Sequence, residues 1–130
     1  MAIERVNPAE LSPPRGFSHA VVGHGTVVFL AGQTGQDAAG DIAGTGIVAQ
    51  FEQALTNLLT ALRGCGGKPG DLASLTVYVT DLADYRAHER QLGEVWRRLA
   101  GRDYPAMAAI GVTRLWDAAA LVEVQGFAVI

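Results

Sequence analysis

The sequence is poor in cysteine, in charge and in long apolar runs, and each shortage excludes a class of protein. Cys65 is the single cysteine, so neither an internal disulfide nor a cysteine-based metal cage can form. Charged residues make up 18% of the chain, and its net charge of −3 comes without a basic stripe. The electrostatic footprint of a nucleic-acid-binding protein is therefore absent. No segment approaches the ~18 uninterrupted apolar residues of a membrane span, so neither nucleic acid nor a membrane is expected as a partner.

Signals for export, phosphate binding and metal binding are also missing. The first ten residues include Glu4, Arg5 and Glu10 and no apolar run of signal-peptide length, which favours a cytoplasmic protein. Neither GxxxxGK[ST] nor GxGxxG is present, and the histidines show no HxxxH or HxH spacing. We therefore expect no metal and no cofactor. At 130 residues the chain is predicted to form a single domain over 1–130 with a real core.

Apolar periodicity predicts an α+β fold. One helix is expected to begin at Thr45 or Gly46 and to end at Gly64, where glycines and a proline follow. A second is expected between a cap at Thr80 or Asp81 and a stop at Gly101. The predicted strands are 3–6, a hairpin of 17–22 and 26–31, 72–80, 104–112 and 121–130.

The last predicted strand has two different faces. Val122, Val124 and the residues that alternate with them form a wholly apolar face. The other face places Glu123 and Gln125 beside Phe127, an arrangement suited to neither plain water nor a closed core. With both helices on one side of the sheet, this face remains uncovered within one chain. We therefore expect a cleft or a subunit interface there.

Five segments, in order, resemble the Rid family, also called YjgF/YER057c/UK114 or endoribonuclease L-PSP. They are 16–21, 28–33, 76–82, 104–106 and 121–124. The resemblance implies a chorismate-mutase-like fold, a mixed sheet with two helices on one face, and a homotrimer with small-molecule clefts between subunits. It also implies the chemistry of the best-characterised branch, which hydrolyses imines and enamines released by PLP-dependent dehydratases to 2-keto acids and ammonia.

The resemblance also assigns candidate site residues. Gly32, whose backbone would bind the ligand, and Glu123, which would position the attacking water, match the family pattern. Phe17 and Ala31 stand where the branch has a tyrosine and a serine. Met107 stands where an arginine clamps the substrate carboxylate, and a thioether cannot imitate a planar guanidinium. The chain therefore resembles divergent subgroups that lack this arginine, with altered substrate choice. Met107 could line a cleft or simply fill the core.

Four further residues are weaker candidates. Glu89 falls where the branch usually has an asparagine. Arg114 follows the Met107 strand and could bind a ligand carboxylate from another direction, although a loop ion pair is the commoner role. His19 could act as a general base because imidazole titrates near neutrality, and Gln33 could bind ligand. A half-exposed strand histidine and a loop amide are the commoner alternatives.

Three functions remain open at this point. The first is a Rid-type hydrolase of an imine, an enamine or a related amino compound, with Glu123 orienting water. The second is a non-catalytic trimer that binds a small molecule. The third is an endoribonuclease, which the lack of a basic or aromatic platform disfavours.

Overall fold

One mixed sheet, covered on a single face by helices, forms the body of the protein in a computed structural model that describes residues 2–42 and 44–130. The strands are β1 (Ile3–Val6), β2 (Ala20–Gly23), β3 (Val27–Gln33), β4 (Leu72–Val79), β5 (Ala106–Gly111) and β6 (Val122–Val129). The helices are α1 (Ile47–Gly64), α2 (Leu82–Ala87) and α3 (Glu89–Ala100), with a 3-10 turn at Pro69–Asp71. None of the helices described is both long and apolar enough to cross a membrane.

The sheet has the strand order β3-β6-β4-β5, with β4 and β5 parallel and the other pairs antiparallel. β1 and β2 form a separate antiparallel ribbon. The predicted hairpin is therefore wrong, because its two strands pair with different partners. Gly25, with φ 140, lies between them, and Thr26 then exchanges two main-chain hydrogen bonds with Ile130. Long β6 thus supplies the partner for β3, and β4 separates β6 from β5.

Helix α1 begins and ends where the sequence predicts. Its apolar positions at spacings of three and four are all buried, and they face β3, β6 and α3. At its C-terminus Gly66 adopts a φ of 87, a conformation that favours glycine, and its amide donates to the carbonyl of Arg63. Local sequence is sufficient to define this helix.

The second predicted helix is instead two helices that meet at His88. Asp81 caps the first, since its carboxylate accepts a hydrogen bond from the Asp84 amide at 3.0 Å, as predicted. At the junction the imidazole Nδ1 of His88 lies 2.8 Å from the Asp84 carbonyl. The His88 amide donates to the carbonyl of Tyr85, three residues earlier, so the α-helical pattern does not continue through this residue. The prediction of one continuous helix is therefore wrong.

The two faces of β6 differ as the sequence indicates. Val122, Val124 and Ala128 are fully buried beneath the helices. On the opposite face Phe127 and Phe29 are 41% and 77% exposed, and their rings meet edge to face at 5.4 Å. This open sheet face of a single chain thus presents large apolar side chains to its surroundings.

Candidate functional site

Two of the predicted site residues, Gly32 and Glu123, touch each other at the edge of the open sheet face. The β3–β6 pairing shifts register by a bulge between Leu30 and Gln33, and Ala31 and Gly32 lie in that bulge. A Cβ atom placed on Gly32 would stand 2.9 Å from the carboxyl carbon of Glu123, closer than real Cβ atoms approach. Only glycine fits here while the carboxylate keeps this position. We call Ala31, Gly32 and Glu123 the carboxylate half-site.

Glu123 is half-buried and has no cation beside it in the described part of the chain. No lysine, arginine or histidine among these residues lies within 4.0 Å of its carboxylate. Its partner across the sheet is Tyr78, whose hydroxyl donates instead to the side-chain oxygen of Gln125 at 3.2 Å. The carboxylate is therefore free to accept a proton or a hydrogen bond from a bound molecule. Gln33 lies at the end of the bulge, in register with Val124.

A buried amide in α1 positions the strand that presents Glu123. Gln50 is 4% exposed; its Nε2 donates to the Ala119 carbonyl at 3.2 Å, and its Oε1 accepts from the Leu121 amide at 2.8 Å. These bonds hold the chain two residues before Glu123. Sequence reasoning missed Gln50, although a polar residue beside Phe51 in the apolar stripe of a helix was a usable signal.

Met107 and Glu89 line a separate cleft of about 480 Å³ between the helices and the start of β5. Its walls are aromatic: Tyr85 meets Phe51 edge-on at 6.4 Å, and Trp96 stacks on Tyr104 at 6.1 Å. Burial raises the pKa of Tyr85 above its ordinary value, so its phenol retains the proton and can donate a hydrogen bond. The cleft can thus hold an apolar or aromatic body.

Met107 combines the two roles that the sequence left open, because it both fills the core and lines the cleft. In the parallel β4–β5 register it is the partner of buried Leu75, so it faces the helices. Its side chain packs against the core and also lines the cleft. An arginine at this position would bring its stem to the same surface.

Ser18 connects the segment before β2 to the residues just before β5 through two hydrogen bonds. Its amide donates to the Pro105 carbonyl at 2.9 Å, and its hydroxyl donates to the Tyr104 carbonyl at 2.7 Å. These bonds bring Phe17 beside β5, where its ring packs edge-on against His19 at 5.0 Å. The imidazole Nε2 of His19 lies 2.7 Å from the Ser12 carbonyl. Neither ring lines the cleft, and a free general base is therefore not presented there.

The cations that border the cleft are ones that sequence reasoning missed. Arg114 is exposed in the loop after β5 and does not line the cleft. Arg15, Arg90 and Arg97 do. Positions 90, 93 and 97 share one helical face, which the sequence shows, but only the tertiary structure reveals that this face borders a cavity.

Within one chain the two groups of residues remain apart. None of Ala31, Gly32 and Glu123 lines the aromatic cleft. One group can orient a water molecule against a main-chain segment, and the other can bind the body and the anionic group of a small molecule.

Comparisons with known proteins place this chain in a family. The family model described as Endoribonuclease L-PSP matches residues 8–130. A protein of Capra hircus named 2-iminobutanoate/2-iminopropanoate deaminase is 31% identical over 123 residues, which cover 94% of this chain and 83% of the goat protein.

Solved structures share the fold. YyfB of Yersinia pestis, a protein of unknown function in the conserved Rid protein family, superimposes with a TM-score of 0.87 at 33% identity, over 100% of both chains. RidA from the Antarctic bacterium Psychrobacter sp. PAMC 21119 gives 0.71 at 29% identity, over 92% of each chain. The predicted YjgF-type α+β fold is confirmed. The match over residues 8–130 shows that this chain belongs to the Rid family, the group that its family model describes as Endoribonuclease L-PSP.

Proposed function

We propose that this protein is a Rid-type hydrolase of an imine, an enamine or a related amino compound, with altered substrate choice because Met107 replaces a clamping arginine. The observation that supports this most is the contact between Gly32 and the uncompensated carboxylate of Glu123. A carboxylate held against an open main-chain segment can activate water beside a substrate whose polar atoms bind that segment.

The reaction needs two steps that Glu123 can serve. Water adds to the C=N carbon while Glu123 accepts one of its protons, and Glu123 passes that proton to the substrate nitrogen, which gives a carbinolamine. Glu123 then takes the hydroxyl proton of the carbinolamine and delivers it to the amino nitrogen, so the C–N bond breaks as the C=O bond forms, and ammonia and a carbonyl compound are released. The Gly32 backbone would polarise the substrate during the first step.

We further propose that the protein works as a homotrimer in which the carboxylate half-site of one chain meets the aromatic cleft of its neighbour. Separation of the two groups within one chain supports this arrangement. So does the open sheet face, where Val27 and Ile110 are exposed in addition to the two phenylalanines. Exposed apolar patches of this kind are commonly covered by other subunits.

The Glu123→Ala protein tests the proposed chemistry. Imines generated in situ by an amino-acid oxidase should yield keto acid and ammonia at least ~100-fold more slowly than with the natural protein, the range expected for loss of a general base. Gln125→Ala is the matched control, since Gln125 lies on the same strand face and bonds only to Tyr78 in the described structure. Undiminished rates with Glu123→Ala would contradict the proposed role.

Met107→Arg should restore a carboxylate clamp. Because Met107 lines the cleft, a guanidinium there should raise the rate on small imino acids about tenfold or more, which requires only ~1.4 kcal/mol of transition-state stabilisation. Met107→Leu keeps the apolar volume and serves as the control. Equal rates for all three proteins would show that this position does not contact substrate.

A non-catalytic binding trimer is the second candidate. It is favoured by the aromatic cleft, which can hold a ligand without any contribution from Glu123. Such a protein would give no rate enhancement over the spontaneous hydrolysis in the same imine assay, whichever variant was used.

A further inference from the structure

The aromatic cleft is positively charged in a protein whose net charge is −3. Arg15, Arg90 and Arg97 line it together with a single acidic residue, Glu89. A concave surface with an excess of positive charge attracts anions. The charge alone does not identify the anion, so the partners of each arginine matter.

Two of these arginines have no carboxylate partner. Arg90 lies 3.9 Å from Glu94, whereas Arg15 and Arg97 have no acidic group within 4.0 Å among the described residues. The neighbouring Arg98 is different again, because it is paired with Glu52. Two guanidiniums at the cleft are therefore available for a ligand.

The Arg97 head group lies over Gly93, one turn earlier in α3, where there is no side chain. A Cβ atom on Gly93 would stand 3.1 Å from Nη1 of Arg97, so the guanidinium lies directly over Gly93. Both residues line the cleft. A larger residue at 93 would compete for the space that the guanidinium now uses.

The aromatic side chains beside the cleft favour a ligand that carries a ring. Tyr85 offers a protonated phenol, and Trp96 has a buried indole N–H without an acceptor in the described structure. Phe51 and Tyr104 complete aromatic walls around a volume of about 480 Å³. A cleft of this volume can accommodate a small organic molecule.

We propose that Arg97 and Arg15 form an anion clamp for an aromatic or bulky apolar acid, whose ring enters the aromatic walls while its carboxylate meets the guanidiniums. Arginine is well suited to this role because its planar fork binds a carboxylate through two hydrogen bonds. That the bound acid is a 2-imino acid rests on the proposed function; that the cleft binds an aromatic acid does not.

Binding of phenylacetate and of phenylacetamide, measured by calorimetry, tests the clamp, because the two probes share a ring and differ in charge. We expect the natural protein to prefer phenylacetate, and Arg97→Gln or Arg15→Gln to weaken phenylacetate binding about tenfold, or ~1.4 kcal/mol. Phenylacetamide binding should be unchanged. Arg102→Gln is the control, since Arg102 is exposed just beyond α3 and does not line the cleft.

Equal affinity of the natural protein for the two probes, or phenylacetate binding that is indifferent to both substitutions, would overturn the clamp. The kinetic readout separates this outcome from failure of the proposed function. If no imine is hydrolysed but phenylacetate binding depends on Arg97, the hydrolase proposal fails and the clamp stands. If imines of phenylalanine and alanine are hydrolysed equally well and Arg97→Gln changes neither rate, the clamp alone is wrong.

Discussion

Replacing Gly32 by alanine is expected to abolish imine hydrolysis while leaving the protein folded. The added methyl group would stand 2.9 Å from the carboxyl carbon of Glu123 and 3.3 Å from its Cγ, so the carboxylate must move. The same methyl would also block the approach of a ligand to the Gly32 backbone. Displacing a catalytic group by about 1 Å can cost on the order of 100-fold in rate.

The rate of keto-acid release, together with circular dichroism and melting temperature, separates loss of chemistry from loss of fold. Gly64→Ala is the matched control, because a Cβ there meets nothing within 4 Å and Gly64 lies at the end of α1. A Gly32→Ala protein that kept its full rate would show that the carboxylate does not occupy this position during the reaction.

Mixing the Gly32→Ala protein with a Met107→Glu protein tests whether neighbouring chains share one site. Met107→Glu would place a negative charge in the cleft and repel an anionic substrate, so each variant alone should be inactive. Co-expressed, the two should regain activity, because some sites would pair a natural cleft with a natural carboxylate half-site. A monomeric mass by light scattering, or mixtures that remain inactive, would contradict the shared site.

Leu58→Ala should reduce the free energy of unfolding by about 2 to 5 kcal/mol, the range for removing a buried leucine side chain. Leu58 is 0% exposed on α1, within the cluster that joins this helix to the sheet and to α3. The cavity would lie within the buried cluster between α1 and the sheet.

Urea unfolding at one fixed protein concentration measures this loss, since assembly would add a concentration-dependent contribution. Leu11→Ala is the control: Leu11 is 50% exposed, so we expect a change within about 0.5 kcal/mol. Equal losses for the two substitutions would show that α1 does not pack as the structure indicates.

Local patterns explain the parts of the fold that could be predicted. The apolar spacing from Ile47 to Leu62 and the glycines after Gly64 define α1, because a helix and its termination depend on residues within a few positions of one another. The alternation along β6 likewise determined its buried and open faces.

Pairing between distant segments explains the first of two errors in the predicted fold. The strands on either side of Gly25 look like a hairpin, but β3 finds its partner at the far end of the chain, in β6. The break at His88 also escaped prediction. There the His88 imidazole lies 2.8 Å from the Asp84 carbonyl and the main-chain amide donates to Tyr85, a local detail that apolar periodicity does not report.

The candidate site likewise contains some residues that the sequence identifies and others that only the folded chain reveals. Glu123 stands out in the sequence as a carboxylate in an apolar strand, and family resemblance added Gly32. Nothing in the sequence around Arg97 or Arg15 distinguishes these residues from other surface arginines. They come to one cleft because Ser18 bonds to Tyr104, 86 positions away, and brings the N-terminal segment beside β5. Periodicity reports which face of an element is apolar, whereas the neighbours of that face depend on contacts that only the folded chain makes.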